Sequence, residues 1–210
     1  MFDFQRVLVF APHTDDAELG CGGTIARMVD SGKDVYIVNF SICEESVPEG
    51  FRRDVLATEA PLAAGVLGVP ESHVLLYRYK VRVFGQFRQS ILDNMIELRS
   101  RLVPDLVLLP AKGDMHQDHQ VVYAEGLRAF WHKSIWGYEG SARDTEFQPN
   151  IFVPLSNHYV DLKIEAAAEY KSQEDRPYMA EDFIRSTIRV RGIQANTRYA
   201  EAFQIVRMTV

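Results

Sequence analysis

The sequence predicts an α/β fold that is Rossmann-like, with a mostly parallel sheet and helices on both of its faces. Short apolar segments rich in β-branched residues alternate along the chain with longer segments that carry apolar residues at helical spacing, and this alternation is typical of parallel sheets. Glycine or proline follows the longer segments, where helices commonly end. Two polar clusters also stand where predicted strands end, which is the edge at which such sheets bind ligands.

The first half of the chain alternates strand and helix regularly. Its predicted strands are short apolar runs, and its predicted helices repeat apolar residues at helical spacing. Gly32, Gly68 and Pro104 follow the three helices at positions that favour a helix end. In chain order we expect a strand at 5–10, a helix at 19–31, a strand at 34–40, a helix at 51–67, a strand at 73–77, a helix at 86–102 and a strand at 105–109.

The second half has a weaker pattern. Residues 134–150 mix glycine, serine, aromatic and charged residues without a clear period, which predicts a long loop of the kind that often forms a lid or a binding surface. No repeat, low-complexity segment or linker divides the chain, so residues 1–210 are predicted to form a single domain. The remaining predicted elements are a strand at 151–155, helices at 164–173 and 181–188, and a strand at 203–210.

Composition and charge limit the class of protein. The chain has 47% hydrophobic and 25% charged residues, as globular proteins do. A net charge of −6 without a basic run argues against a nucleic-acid partner, and no apolar stretch approaches the ~20 residues that span a bilayer. The N-terminus lacks the basic region and cleavage site of a signal peptide, and two cysteines do not make a disulfide framework. We therefore predict a cytoplasmic location. The sequence is also compatible with a homo-oligomer.

The first polar cluster follows the first predicted strand, in the sequence FAPHTDDAELGCGGTIA at 10–26. His13 offers an imidazole, and Asp15 and Asp16 offer carboxylates. Because adjacent side chains of an extended segment point in opposite directions, one carboxylate can bind a metal while the other faces a substrate. An aspartate before a helix is also a common N-cap, and the glycines of GCGG can simply permit close packing of helix on sheet. This segment alone leaves both roles open, and GCGG lacks the spacing of a dinucleotide-binding motif.

The second polar cluster follows the fourth predicted strand, in the sequence PAKGDMHQDHQ at 110–120. It contains two histidines, His116 and His119, together with aspartates. Combined with the first cluster at the same edge of the predicted sheet, His13, Asp16 and His119 supply two imidazoles and one carboxylate. Such a set leaves coordination positions open for water and substrate, as catalytic metal sites do. Zn²⁺ fits this set, and Fe²⁺ also binds two histidines and one carboxylate.

The two motifs resemble those of the LmbE-like, or PIG-L-like, de-N-acetylases. These are zinc-dependent hydrolases that remove acetyl groups from N-acetylglucosamine conjugates and related amides. The family has an opening His-Pro-Asp-Asp motif with a nearby Glu and a glycine-rich turn, and a later His-x-Asp-His motif. This chain has HTDDAELGCGG at 13–23 and HQDH at 116–119. Weaker matches extend the resemblance over nearly the full length, at Glu59, Ala63, Ala64, Leu67, Gly68, 171–173, 191–192 and 199–203.

The resemblance implies a role for each residue of the first motif. His13 and Asp16, with His119 of the second motif, would bind the metal. Asp15 would be the general base that takes a proton from water. A cation also removes the mutual repulsion that several neighbouring aspartates would otherwise suffer.

The resemblance also assigns the second motif and one arginine. His116 would stabilise the developing oxyanion or protonate the leaving amine, and Asp118 would orient His116. Arg53 is a weaker candidate for holding the substrate. The chain departs from the family at Thr14, where proline is usual, and at Asp114, where some members have a tyrosine. Any role of that tyrosine is therefore in doubt in this chain.

The predicted function is removal of the N-acetyl group from an N-acetylglucosamine-type sugar conjugate or a related amide, so the expected partner is a small-molecule N-acetylated sugar or glycoconjugate. Two other classes are considered. An Fe(II)-dependent oxygenase would use the same ligands, but its usual scaffold is a β-rich roll rather than alternating α/β. A non-catalytic sugar- or metal-binding module predicts loss of Asp15 or His116, and both are present.

Overall fold

The computed structural model describes residues 4–140 and 146–209. Over these ranges the chain forms seven strands and six α-helices. The strands are β1 (Arg6–Ala11), β2 (Asp34–Asn39), β3 (Val74–Leu76), β4 (Leu106–Pro110), β5 (Ser134–Tyr138), β6 (Ile151–Pro154) and β7 (Ala200–Arg207). The helices are α1 (Asp16–Asp30), α2 (Leu56–Val66), α3 (Arg88–Leu102), α4 (Gln117–Ala129), α5 (Asn157–Ala168) and α6 (Glu181–Gln194).

The strands form one sheet in the order β3-β2-β1-β4-β5-β7-β6. Strands β1 to β5 are parallel to their neighbours, whereas β7 is antiparallel to both β5 and β6. The chain runs outward from β1 towards β2 on one side and from β4 towards β5 on the other. The carboxyl ends of β1 and β4 therefore flank the switch point at which doubly wound sheets bind ligands.

Helices cover both faces of the sheet, and alternate residues of each central strand enter different cores. In β1, Val7 and Val9 pack in a core with residues of α1, α2 and α5, whereas Leu8 and Phe10 pack with α3 and α4. The predicted mostly parallel α/β fold is therefore confirmed. Among the described helices, none is long and apolar enough to cross a membrane.

The structure corrects three predictions about elements. The predicted loop at 134–150 begins with strand β5, which lies between β4 and β7, and residues 141–145 of that loop lie outside the described residues. Helix α4 was not predicted, and α5 begins well before the predicted start at 164. All five residues of β5 are buried, including Ser134 and Gly137, so the strand has neither the alternation nor the uniformly apolar composition that the pattern requires.

Helix α1 is broken at Cys21, whose φ of −148° and ψ of 22° are not helical. Two buried side chains satisfy the backbone groups released by this break. The Glu201 carboxylate accepts hydrogen bonds from the amides of Gly23 at 3.0 Å and Thr24 at 2.6 Å. The Lys163 ammonium donates to the carbonyl of Leu19 at 2.6 Å and pairs with Glu201 at 2.6 Å. This buried ion pair therefore caps both halves of the helix that carries Asp16.

Candidate metal centre

Both polar clusters lie at the carboxyl edge of the sheet, beside the switch point. His13 follows β1, and Asp16 is the first residue of α1. On the neighbouring side, His116 is the N-cap of α4 and His119 lies in the first turn of that helix. Two strands that pair directly thus bring together residues that are about a hundred positions apart in the sequence.

Three ligand atoms form a nearly equilateral triangle. His13 Nδ1 and His119 Nε2 are 3.3 Å apart, and Asp16 Oδ2 lies 3.2 Å from each of them. A metal ion about 2.0–2.2 Å from each of three ligand atoms holds those atoms roughly 3.0–3.5 Å apart. The spacing and the donor types therefore fit a divalent metal. The ring of His116 adds a third imidazole, and ligand atoms of the three histidines lie within 4.8 Å of one another.

The second nitrogen of each imidazole in the triangle faces a carboxylate. His13 Nε2 lies 3.2 Å from Asp118 Oδ2, and His119 Nδ1 lies 2.7 Å from Asp114 Oδ2. Histidines that bind metals commonly present their second nitrogen to a carboxylate in this way. Burial disfavours the charged ring of His119, but the carboxylates of Asp16 and Asp114 raise its pKa to about 10.

The carboxylate of Asp118 contacts mainly groups other than the ring of His116. It lies 4.0 Å from His116 Nδ1 and instead accepts hydrogen bonds from the amides of Arg82 at 2.6 Å and Phe84 at 3.2 Å. Asp118 reaches His116 through its backbone, because its own amide donates to His116 Nδ1 at 3.2 Å. This contact leaves the proton of a neutral His116 on Nε2. Burial and the nearby rings of His13 and His119 lower the pKa of His116 to about 4.

The adjacent aspartates occupy different environments. Asp16 contacts the two histidines of the triangle; burial opposes its charge, but His119 and His13 hold the pKa of Asp16 below its usual range. Asp15 is the N-cap residue of α1, yet its side chain makes no capping hydrogen bond. Burial and the negative charge of Asp16 raise the pKa of Asp15 to about 6. The two side chains therefore differ in their contacts and in the direction of their pKa shifts.

A cleft of about 170 Å³ opens over the triangle. Arg53 is exposed and is not among the residues that line it. Arg82 and Arg176 do line the cleft, and they were not predicted because neither stands in a recognisable motif. The lining residues are His13, Thr14, Asp15, Asp16, Cys43, Ser46, Leu56, Val81, Arg82, Asp114, His116, His119, Gln173, Arg176 and Tyr178.

Two of the weaker motif matches meet beside this cleft. The carboxylate of Glu59 accepts hydrogen bonds from the Ser172 amide at 2.9 Å and from the Ser172 hydroxyl at 2.6 Å. Gln173, the next residue, lines the cleft. Glu59 therefore anchors the segment that forms one wall of the site.

The fold and this site define a class of α/β proteins that present a cluster of histidines and aspartates, able to hold a metal, at the carboxyl edge of a parallel sheet. The chain belongs to the PIG-L family, because the family profile described as GlcNAc-PI de-N-acetylase matches residues 8–130, more than half of its length. The resemblance inferred from the two motifs is therefore confirmed.

Individual relatives cover nearly the whole chain. Diacetylchitobiose deacetylase of Thermococcus kodakarensis is 26% identical over 97% of this chain and 84% of the relative. The structure of N,N'-diacetylchitobiose deacetylase from Pyrococcus horikoshii has a TM-score of 0.82 and 23% identity, and covers 97% of this chain and 84% of that one. A 4-carboxy-2-hydroxymuconate hydratase from Pseudomonas putida has a TM-score of 0.77 and 19% identity, with 98% of each chain covered. Since a hydratase shares the fold, the fold alone does not identify the reaction.

Proposed function

We propose that this protein is a metal-dependent hydrolase, with zinc as its metal, that removes the N-acetyl group from an N-acetylglucosamine-type sugar conjugate or a related amide. The observation that carries the proposal is the triangle of His13 Nδ1, His119 Nε2 and Asp16 Oδ2, with sides of 3.2–3.3 Å. These three residues are the proposed ligands. When bound, a divalent metal supplies a Lewis acid for the amide carbonyl and makes water more acidic.

Asp15 is the proposed general base. It lines the cleft beside the ligands, and its raised pKa of about 6 suits a carboxylate that both accepts and returns a proton near neutral pH. As the oxygen of water attacks the carbonyl carbon, Asp15 takes the proton from that water. Acetate and a free amine result when the carbon–nitrogen bond breaks.

His116 is the residue proposed to stabilise the developing oxyanion or to protonate the leaving amine. Its Nδ1 is occupied by the Asp118 amide, so a neutral ring carries its proton on Nε2. An N–H group at this position can donate a hydrogen bond to the oxyanion or assist proton delivery to the leaving nitrogen. Asp118 supports this step through its backbone amide, while its carboxylate holds His13.

The proposed substrate class rests on the named relatives and on the cleft walls. The relative from Thermococcus kodakarensis is a diacetylchitobiose deacetylase, which acts on an N-acetylated sugar. Arg82, Gln173, Arg176 and Tyr178 line the cleft of this chain with hydrogen-bonding groups, as recognition of sugar hydroxyls requires. Arg82 and Arg176 are therefore better placed than Arg53 to contact a substrate.

The test is a product assay with zinc-loaded protein and N,N'-diacetylchitobiose, N-acetylglucosamine and N-acetylglucosamine glycosides. We expect acetate and primary amine to appear in equal amounts, and chelator-treated protein to be inactive. Parallel assays measure oxygen consumption with Fe²⁺-loaded protein and loss of an alkene substrate. Oxygen consumption or hydration without acetate release would overturn the deacetylase proposal in favour of an oxygenase or a hydratase. Metal binding without any turnover would overturn the proposal in favour of a non-catalytic binding module.

A further inference from the structure

We propose that Asp114 is a positioning residue for the metal centre, and that its negative charge directs the Nε2 lone pair of His119 towards the metal. This inference rests on the metal site of the proposed function. Asp114 stands two residues before the HQDH motif, so the inference concerns a residue that neither motif contains.

The carboxylate of Asp114 divides its two oxygens between two neighbours. Oδ1 accepts a hydrogen bond from the backbone amide of His116 at 2.8 Å. Oδ2 lies 2.7 Å from Nδ1 of His119. Asp114 and His119 are 3% and 5% exposed, so water does not replace this contact. The Asp114 carboxylate and the His119 ring therefore form a close, buried pair.

A carboxylate beside Nδ1 selects one form of the His119 ring. It stabilises the proton on Nδ1, which leaves the lone pair on Nε2, the atom that faces His13 and Asp16 in the triangle. In His13 the two ring nitrogens have exchanged places: Nε2 faces Asp118 and Nδ1 faces the triangle. The two imidazoles thus use different nitrogens, each set by its own aspartate.

Gly140 makes room for this arrangement. A Cβ at position 140 would lie 2.5 Å from Asp114 Oδ2, the same atom that faces His119. The segment that follows β5 therefore comes so close to Asp114 that only a residue without a side chain leaves the carboxylate in place. An alanine at this position would displace Oδ2 without removing any hydrogen-bonding group.

The discriminating variant is Asp114→Asn. Oδ1 must remain an oxygen to accept the His116 amide, so the new NH₂ group faces His119 Nδ1. This favours the ring form with its proton on Nε2, where it competes with the metal. We expect the zinc dissociation constant, measured by competition with a chelator, to rise about 10–100-fold. The visible absorption of the Co²⁺-loaded protein should weaken in parallel, because fewer sites hold the ion in the native geometry.

Gly140→Ala is the second variant, and Asp105→Asn is the matched control. Asp105 also caps backbone amides, those of Gln5 and Arg6 at 2.9 Å, but at the opposite end of β4. Gly140→Ala should weaken zinc binding in the same direction as Asp114→Asn, whereas Asp105→Asn should change only the urea midpoint. If both test variants stay folded and bind zinc within about twofold of the wild type, Asp114 has no positioning role.

The outcomes separate this inference from the proposed function. A wild-type protein that binds no zinc overturns the metal centre and this inference together. A protein that binds zinc but releases no acetate overturns only the deacetylase reaction, because the dissociation constants still test Asp114. If Asp114→Asn does not fold, Gly140→Ala decides, since it removes no hydrogen bond.

Discussion

Asp15 and Asp16 are neighbours in sequence but differ in what surrounds them. Asp16 contacts both imidazoles of the triangle, whereas Asp15 lines the cleft without a side-chain cap contact. Burial and the charge of Asp16 raise the pKa of Asp15, and the histidines lower that of Asp16. Two identical side chains thus acquire different chemistry from their position alone.

This difference predicts opposite effects of two matched substitutions. Asp15→Asn should keep the metal and lower kcat by about a hundredfold or more, because an amide cannot accept a proton from water. Asp16→Asn should lower the metal content, because it removes an anionic ligand. Elemental analysis beside steady-state rates makes the comparison. Near wild-type turnover by Asp15→Asn would show that Asp15 is not the base.

The arginines supply a second prediction for single residues. Arg82 and Arg176 line the cleft, and Arg53 does not. Arg82→Met and Arg176→Met should each raise KM about tenfold, since a hydrogen bond to a charged group contributes roughly 1.5–3 kcal/mol. Arg53→Met serves as the control and should leave KM unchanged. A raised KM in Arg53→Met alone would instead support the substrate contact that the sequence suggested for Arg53.

Among the elements, α1 depends on the absence of side chains at its break. A Cβ at position 20 would overlap the ring of Tyr138 in β5, and the hydroxyl of that tyrosine donates to the Phe10 carbonyl at 2.9 Å. A Cβ at position 23 would meet Leu155. Gly20 therefore permits close packing of α1 against β5, and Gly23 permits close approach of Leu155, the structural role that the sequence left open.

Gly20→Ala should lower the free energy of unfolding by about 1–3 kcal/mol, because it overpacks a filled core. Gly65→Ala is its matched control, since this glycine lies within α2 and a Cβ there meets nothing within 4 Å. That change should stabilise the protein by about 0.5–1 kcal/mol through helix propensity. Urea unfolding of both variants measures the difference. Equal stability of Gly20→Ala and the wild type would mean that α1 can shift away from β5.

Helix α4 shows why some helices and strands were not predicted from the sequence. Its buried positions repeat with helical spacing, but Asp118, His119 and Glu125 occupy half of them and Gly126 another. The helix turns functional and ion-paired groups inward, so a search for apolar periodicity finds no signal. Strand β1, by contrast, is apolar because both of its faces are covered, and it was predicted within one residue at each end.

For the whole molecule, the motifs predicted which residues come together at the site, but they did not predict the contacts that these residues make. His13, Asp16 and His119 were grouped from sequence because the fold class places the ends of two strands at one edge. The contacts of Asp114 and Asp118 were not foreseen, because they depend on ring orientations and on the path of the backbone through Arg82. Arg176 reaches the cleft from the far end of the chain, and no spacing rule connects it with the motifs.

The ion pair that caps the broken helix joins segments that are far apart in the sequence. Glu201 lies in β7, 178 residues after Gly23, yet it holds the amides in the middle of α1, which begins with Asp16. While the protein is being made on the ribosome, all three proposed metal ligands emerge long before Glu201 does. In a nascent chain, the helix that carries Asp16 therefore keeps an uncapped break until both Lys163 and Glu201 have been added.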